Sequence, residues 1–266
     1  MLAEIVASGE LPPVEERLPV NPLVVEPLES IGEYGGTWRM GMRGGEDLVW
    51  LTRTVGYVGL VRWSPDWSEV VPDVAESWEI NEDSTEYIFH LREGLRWSDG
   101  HPFTADDLVF WYEDVITNPE LYVNPLVFMI SGGEMGVVEK IDDYTVRFSF
   151  SAPNGLLLQR MASPNEGMYM TATPKHYLSQ FHPRYADEDE LAQMIEEAGV
   201  ETWAELFFLR GGPNNSADPR WKNPELPVLT PWMAVIPTGP DATEVELVRN
   251  PYFYAVDTEG NQLPYI

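Results

Sequence analysis

Side chains able to do covalent or acid–base chemistry are few in this chain, and their spacing accounts for most of them structurally. Thr104-Ala105-Asp106-Asp107 sets two carboxylates side by side, but an acid three residues past a threonine is the spacing of a helix capping box. Asp99-Gly100 is turn chemistry, with glycine supplying a positive φ. Asp257-Thr258-Glu259-Gly260-Asn261 carries the acids of a calcium loop without its remaining ligand positions or terminal glutamate, so it reads as a hairpin turn. His90, His101, His176 and His182 form no i, i+4 pair with an acid on one helix, so no metal site built on sequence-near ligands is expected. A Gly-x-Ser-x-Gly elbow is missing, and Gly41-Met42-Arg43-Gly44-Gly45 has neither phosphate-loop spacing nor a helix pattern after it. The chain has no cysteine, which excludes thiol nucleophiles, disulfide frameworks and Cys-based zinc sites. No catalytic residue and no cofactor are expected.

Aromatic side chains are the remaining chemical resource: 10 Trp, 12 Tyr and 10 Phe. Most must fill a core, but Trp50, Trp63, Trp67, Trp221 and Trp232 fall outside periodic patterns, where an indole can stack on a sugar face or a peptide side chain. The charge balance narrows the partners. With 44 acidic and 16 basic residues the formal net charge is −28, which argues against a nucleic-acid surface or a polybasic membrane anchor. Self-repulsion at that charge favours a monomer. No run of about 18 apolar residues is present, and Met1-Leu2-Ala3-Glu4-Ile5 lacks the basic start and apolar run of a signal peptide.

The elements that must position these residues are mixed strands and helices without regular βαβ alternation, an α/β or α+β pattern. Residues 11–28 carry Pro12, Pro13, Pro19, Pro22 and Pro27, which predicts an extended arm without helix. Thr37-Trp38-Arg39-Met40-Gly41-Met42 alternates with period two and predicts a strand with Trp38, Met40 and Met42 on one face, followed by a flexible polar break at 43–47. A strand over 85–91 puts Tyr87, Phe89 and Leu91 together, and a helix after Thr104 aligns Leu108, Trp111, Tyr112 and Val115. A hairpin pairs 137–141 with 144–150. Helices are predicted from Asp187 to Ala198, stopped by Gly199, and from Glu201 to Leu209. Residues 214–227 read as loop, and Thr243 to Arg249 as a closing strand.

Val71-Pro72-Asp73-Val74-Ala75-Glu76-Ser77-Trp78, then Tyr87-Ile88-Phe89-His90-Leu91-Arg92-Glu93-Gly94-Leu95-Arg96-Trp97-Ser98-Asp99-Gly100, then Pro102-Phe103-Thr104-Ala105-Asp106-Asp107-Leu108-Val109-Phe110 resemble the family 5 extracellular solute-binding proteins, the peptide/nickel-type receptors of ABC importers. Tyr34-Gly35-Gly36-Thr37-Trp38 and Val248-Arg249-Asn250-Pro251-Tyr252-Phe253-Tyr254 resemble further signposts of that family, so the resemblance covers most of 34–266. It implies a type II periplasmic-binding-protein-like fold of two lobes closing on a ligand. Residues 1–33 would be an N-terminal arm, 34–55 with 165–266 the main ligand-binding lobe, and 56–164 a smaller inserted α+β domain. The second lobe would follow Ile266 and is absent from this sequence, which is expected to expose an apolar patch where that lobe docks.

The same resemblance places the turn after the first strand, Met42, Arg43, Gly44, Glu46 and Asp47, at the border of the interlobe cleft. Arg43 would pair with a ligand carboxylate, and Glu46 or Asp47 with an amine. Thr230-Pro231-Trp232 resembles a second cleft-wall segment, with Trp232 the residue facing ligand. The function implied is capture of a peptide or oligosaccharide for import, with permease subunits as partners and a periplasmic or extracellular, envelope-associated location. Two alternatives stay open: a glycan hydrolase using paired carboxylates, or a remnant that binds nothing.

Overall fold

The computed structural model describes residues 2–164, 166–213 and 219–266. In chain order it begins with helices α1 (Leu2–Ser8) and α2 (Val14–Arg17), strand β1 (Leu23–Val25) and helix α3 (Leu48–Thr54). Strands β2 (Val61–Trp63), β3 (Val70–Pro72), β4 (Ala75–Ile80) and β5 (Glu86–Leu91) follow, then α4 (Ala105–Phe110), which runs on as a π-helical turn, Trp111–Ile116. Next come β6 (Ile130–Ser131), β7 (Glu134–Met135), β8 (Val137–Asp142), β9 (Thr145–Ser149), α5 (Leu157–Met161), α6 (Lys175–Leu178), α7 (Glu188–Ala198) and α8 (Trp203–Arg210). The last elements are β10 (Trp232–Ile236), β11 (Glu246–Arg249) and β12 (Ala255–Asp257).

The largest sheet is antiparallel, in the order β4-β5-β9-β8. Its register sets Tyr87 opposite Phe148 and Phe89 opposite Val146, and all four side chains are buried on one face. Phe89 and Phe148 meet edge to face at 5.4 Å between centroids, a favoured aromatic geometry. Helix α4 covers that face. Thr104 caps it as expected, its hydroxyl accepting from the Asp106 N–H while Asp107 reaches back to the Thr104 N–H at 2.9 Å. The wider turn that follows brings Trp111, Asp114, Val115 and Ile116 to the buried side. The apolar core built on this sheet runs from Val58 to Tyr254, drawing also on α5 to α8.

Several sequence expectations are corrected. The proline-rich arm does contain a helical turn: α2 fits between Pro13 and Pro19, because a proline just ahead of a helix removes no bond the helix needs. The expected strand at 37–42 is not formed. That stretch has no ladder partner among the described residues, and Trp38 and Met40 are 53% and 49% exposed; alternation marks a face but cannot supply a neighbouring strand. A helix does begin after the Gly44-Gly45 turn, because Leu48, Leu51 and Val55 recur at helical spacing and are buried together with Trp221. Of the expected loop at 214–227, residues 214–218 lie outside the described residues, and Pro219–Trp221 is a buried 3₁₀ turn. The closing strand is shorter than expected and pairs antiparallel with β10, so Trp232 lies on a strand rather than ahead of one.

The arm is fastened to the far end of the chain. β1 pairs parallel with β12, and Arg17, only 4% exposed, donates to the Pro12 carbonyl, the Pro251 carbonyl and the Gln262 side chain.

Candidate ligand-binding face

A second, smaller apolar cluster of Leu48, Leu51, Val55 and Trp221 carries the candidate site on its outside, where Met42, Trp50, Trp232 and Leu247 pack against it half-buried. Trp50 is presented by α3 and Trp232 by β10. Trp38 comes from the unpaired stretch and lies between them, its ring 6.4 Å from each at interplanar angles of 61° and 57°. Three indoles from three segments thus share one accessible surface. The Trp232 Nε1–H donates to the main-chain oxygen of Ile266 at 3.0 Å. Directly across the ladder from Trp232 is Arg249, whose guanidinium lies 4.8 Å from the Tyr34 ring centroid and donates to the Gln262 carbonyl. Burial lowers the Arg249 pKa, an effect that Tyr34 partly offsets.

The turn at 42–47 forms a polar lip beside this surface. The Asp47 N–H donates to the Gly44 carbonyl at 3.1 Å, and the Asp47 carboxylate accepts from the Arg43 N–H at 3.4 Å. Gly45 is the pivot: a Cβ there would fall 1.8 Å from the Gly239 carbonyl oxygen, so no other residue fits without moving backbone. Glu46 is exposed and pairs with Lys222 at 2.8 Å. Arg43 and Gly44 are exposed, and no carboxylate among the described residues forms an ion pair with Arg43.

Of the six expected site residues, Met42 and Trp232 pack on the same small cluster, while Arg43, Gly44, Glu46 and Asp47 make up the lip. The other tryptophans divide. Trp50 joins the indole surface. Trp221 is buried beneath it and donates toward the Thr52 hydroxyl. Trp63 and Trp67 stack on each other at 6.1 Å in the β2–β3 hairpin, forming a separate pair. Sequence reasoning placed Trp38 on the face of a strand and not among the ligand-facing candidates; its exposure is a consequence of the missing ladder.

The remaining candidates have local partners. Asp106 pairs with Lys140 at 2.7 Å. Asp107 is buried and also accepts the Lys175 N–H at 3.0 Å; burial pushes its carboxyl up to about 6 against the pull of those two N–H groups. Burial likewise pushes on Asp257, but Tyr265, Asn261 and backbone donors outweigh it and hold the carboxyl at about 2, the signature of a saturated turn acid. His176 pairs with Asp99 at 2.8 Å and stacks on His101. Among the described residues, no group of three metal-ligating side chains is placed to hold an ion. A cleft of about 530 Å³ along α7, lined by Tyr185, Asp187, Glu190 and Met194 among others, shares no residue with the indole surface.

An open surface of flat apolar rings beside exposed polar groups is suited to noncovalent contact with a solute. The chain belongs to the bacterial extracellular solute-binding proteins, family 5, whose middle-region model matches residues 69–266. The chain is 32% identical to the periplasmic alpha-galactoside-binding protein of Rhizobium meliloti (strain 1021), over 99% of its own length and 37% of the relative's. It is 36% identical to the dipeptide-binding protein of Escherichia coli (strain K12), over 40% of this chain and 22% of the other. Among solved structures, oligopeptide-binding protein OppA superposes over 100% of this chain and 39% of its own, with 43% identity and a TM-score of 0.88. The periplasmic binding protein MelB in complex with stachyose, from agrobacterium fabrum C58, superposes over 99% and 38%, with 29% identity and a TM-score of 0.65. The chain spans under two fifths of the length of each of these relatives and neighbours. No described helix is long and apolar enough to cross a membrane.

Proposed function

We propose that this chain forms the first ligand lobe of a receptor that captures an oligosaccharide noncovalently between two lobes and delivers it to the permease of an ABC importer. The reading is carried by one observation: Trp38, Trp50 and Trp232 converge on an accessible surface instead of the core. Indoles offer broad apolar faces to the C–H face of a sugar ring, while Glu46, Asp47 and Arg43 offer hydrogen bonds to hydroxyls at its rim. No bond is made or broken, so the protein is a binder and not an enzyme. In this reading 1–33 is an arm, 34–55 with 165–266 the ligand lobe and 56–164 an inserted domain. The protein works as a periplasmic or envelope-associated monomer with no nucleic-acid partner.

Peptide capture is the second reading, favoured by the 43% identity to an oligopeptide-binding protein. Calorimetric titration of the whole protein with stachyose, raffinose and a set of tri- to pentapeptides separates the two. The expected result is heat with the oligosaccharides, weakened at least about tenfold by Trp232→Ala, a loss of about 1.4 kcal/mol. Binding of peptides alone would overturn the sugar reading and leave the receptor reading standing; silence with every ligand would overturn both.

A further inference from the structure

The Arg17–Gln262 contact joins residues 245 positions apart and lies outside the indole surface, yet it shares neighbours with one ring of that surface. Arg17 is buried and has no carboxylate partner among the described residues. Its guanidinium is spent on neutral acceptors: the Pro12 and Pro251 carbonyls and the Gln262 Oε1 at 2.9 Å. Gln262 is in turn saturated. Its Nε2 donates to the Pro251 and Phe253 carbonyls, both at 2.9 Å, and its own carbonyl accepts from the Tyr34 hydroxyl at 2.7 Å and from Arg249 at 3.1 Å. Two routes lead from there to Trp232. Arg249 is its cross-ladder neighbour, and the Ile266 main-chain oxygen that receives the indole N–H is four residues beyond Gln262. The chain between is stiffened by the Val256–Gln262 bridge and by the Leu263 N–H on the Ala255 carbonyl.

We infer that Arg17 and Gln262 are positioning residues for Trp232, so that the N-terminal arm belongs to the ligand-binding apparatus. A buried arginine on neutral acceptors is an expensive way to hold an arm down, since desolvation opposes it. What it supplies is a fixed geometry, because a planar fork engaging three acceptors permits one placement of the segment it holds. The inference rests on the reading that Trp232 faces ligand, and the test keeps the two separable.

The experiment is a double-mutant cycle in the whole protein, with Arg17→Met measured in the Trp232 and Trp232→Phe backgrounds. Phenylalanine keeps an aromatic face but cannot donate to Ile266. Stachyose affinity should fall about fivefold to tenfold for Arg17→Met with Trp232 present, and less than about twofold with Phe in its place, a coupling of the size contacting networks show. Equal losses in both backgrounds would make Arg17 a general brace of the fold and overturn the inference. Should Arg17→Met fail to fold, Arg17→Lys keeps the charge but loses the planar fork and takes its place in the same cycle. If stachyose does not bind at all, the sugar reading fails and the relay is read without ligand. The near-ultraviolet circular dichroism assigned to Trp232, as wild type minus Trp232→Phe, should shrink in Arg17→Met; an unchanged band overturns the relay.

Discussion

The four-stranded sheet and the indole surface are built from the same residue types put to opposite use. On the sheet, Tyr87, Phe89 and Phe148 are at most 2% exposed, each set in ladder register with a ring or β-branched partner across from it. On the indole surface Trp38 is half exposed and no ladder supports it. Leaving one large side chain uncovered forgoes about 2–3 kcal/mol that burial would contribute. A fold that has already closed its core can carry that deficit, and the uncovered rings are what a ligand can cover. Burial therefore separates scaffold from site more sharply than aromatic content does.

The contrast can be broken from either side. Phe148→Ala should cost about 3–5 kcal/mol of stability, read from the shift of a urea unfolding midpoint, since it empties a packed site between β5 and α4; a cost under about 1 kcal/mol would mean the sheet core is not close-packed. Asp107 tests the scaffold by pH. Its carboxyl, near 6 in the fold and 3.8 ordinarily, binds its proton more readily in the folded state. Its ionisation therefore weakens the fold as pH rises from about 4 through 6, by about 3 kcal/mol in all. The difference in unfolding free energy between wild type and Asp107→Asn should change by that order between pH 4 and pH 7, and a constant difference would remove the effect. The smallest stability change should come from the opposite region. Trp38→Ala should move the unfolding midpoint by less than about 1 kcal/mol while weakening oligosaccharide binding about tenfold. Equal movement in both would return Trp38 to the scaffold.

What the sequence disclosed follows how far apart the cooperating residues are. Thr104 and Asp107, and Asp187 with Gly199, carry both halves of their signal within one element, so caps and helices were legible. The 137–150 hairpin was legible for the same reason, its two strands joined by a two-residue turn. The stretch at 37–42 was misread because alternation does not reveal whether a partner strand exists. Helix α3 was missed although Leu48, Leu51 and Val55 announce it, since it is seven residues long and lacks a side-chain cap. Trp221 is buried and Trp38 half exposed, because each is decided by segments more than ten residues away. Met42 and Trp232 could be named singly; that Trp38 stands close to Trp232 could not. The Arg17–Gln262 contact leaves no local trace at all.

Gly45 makes the lip a hinge pin with replaceable leaves. Its Cα hydrogen is pressed against the Gly239 carbonyl, so the loop's height above the indoles is set by a position that tolerates no side chain. Arg43 and Gly44 are exposed around it, and Glu46 reaches out to Lys222. Exchanges at Arg43 or Glu46 would leave the Gly45–Gly239 contact and the ring positions unchanged, so under the proposed reading the lip can vary without refolding.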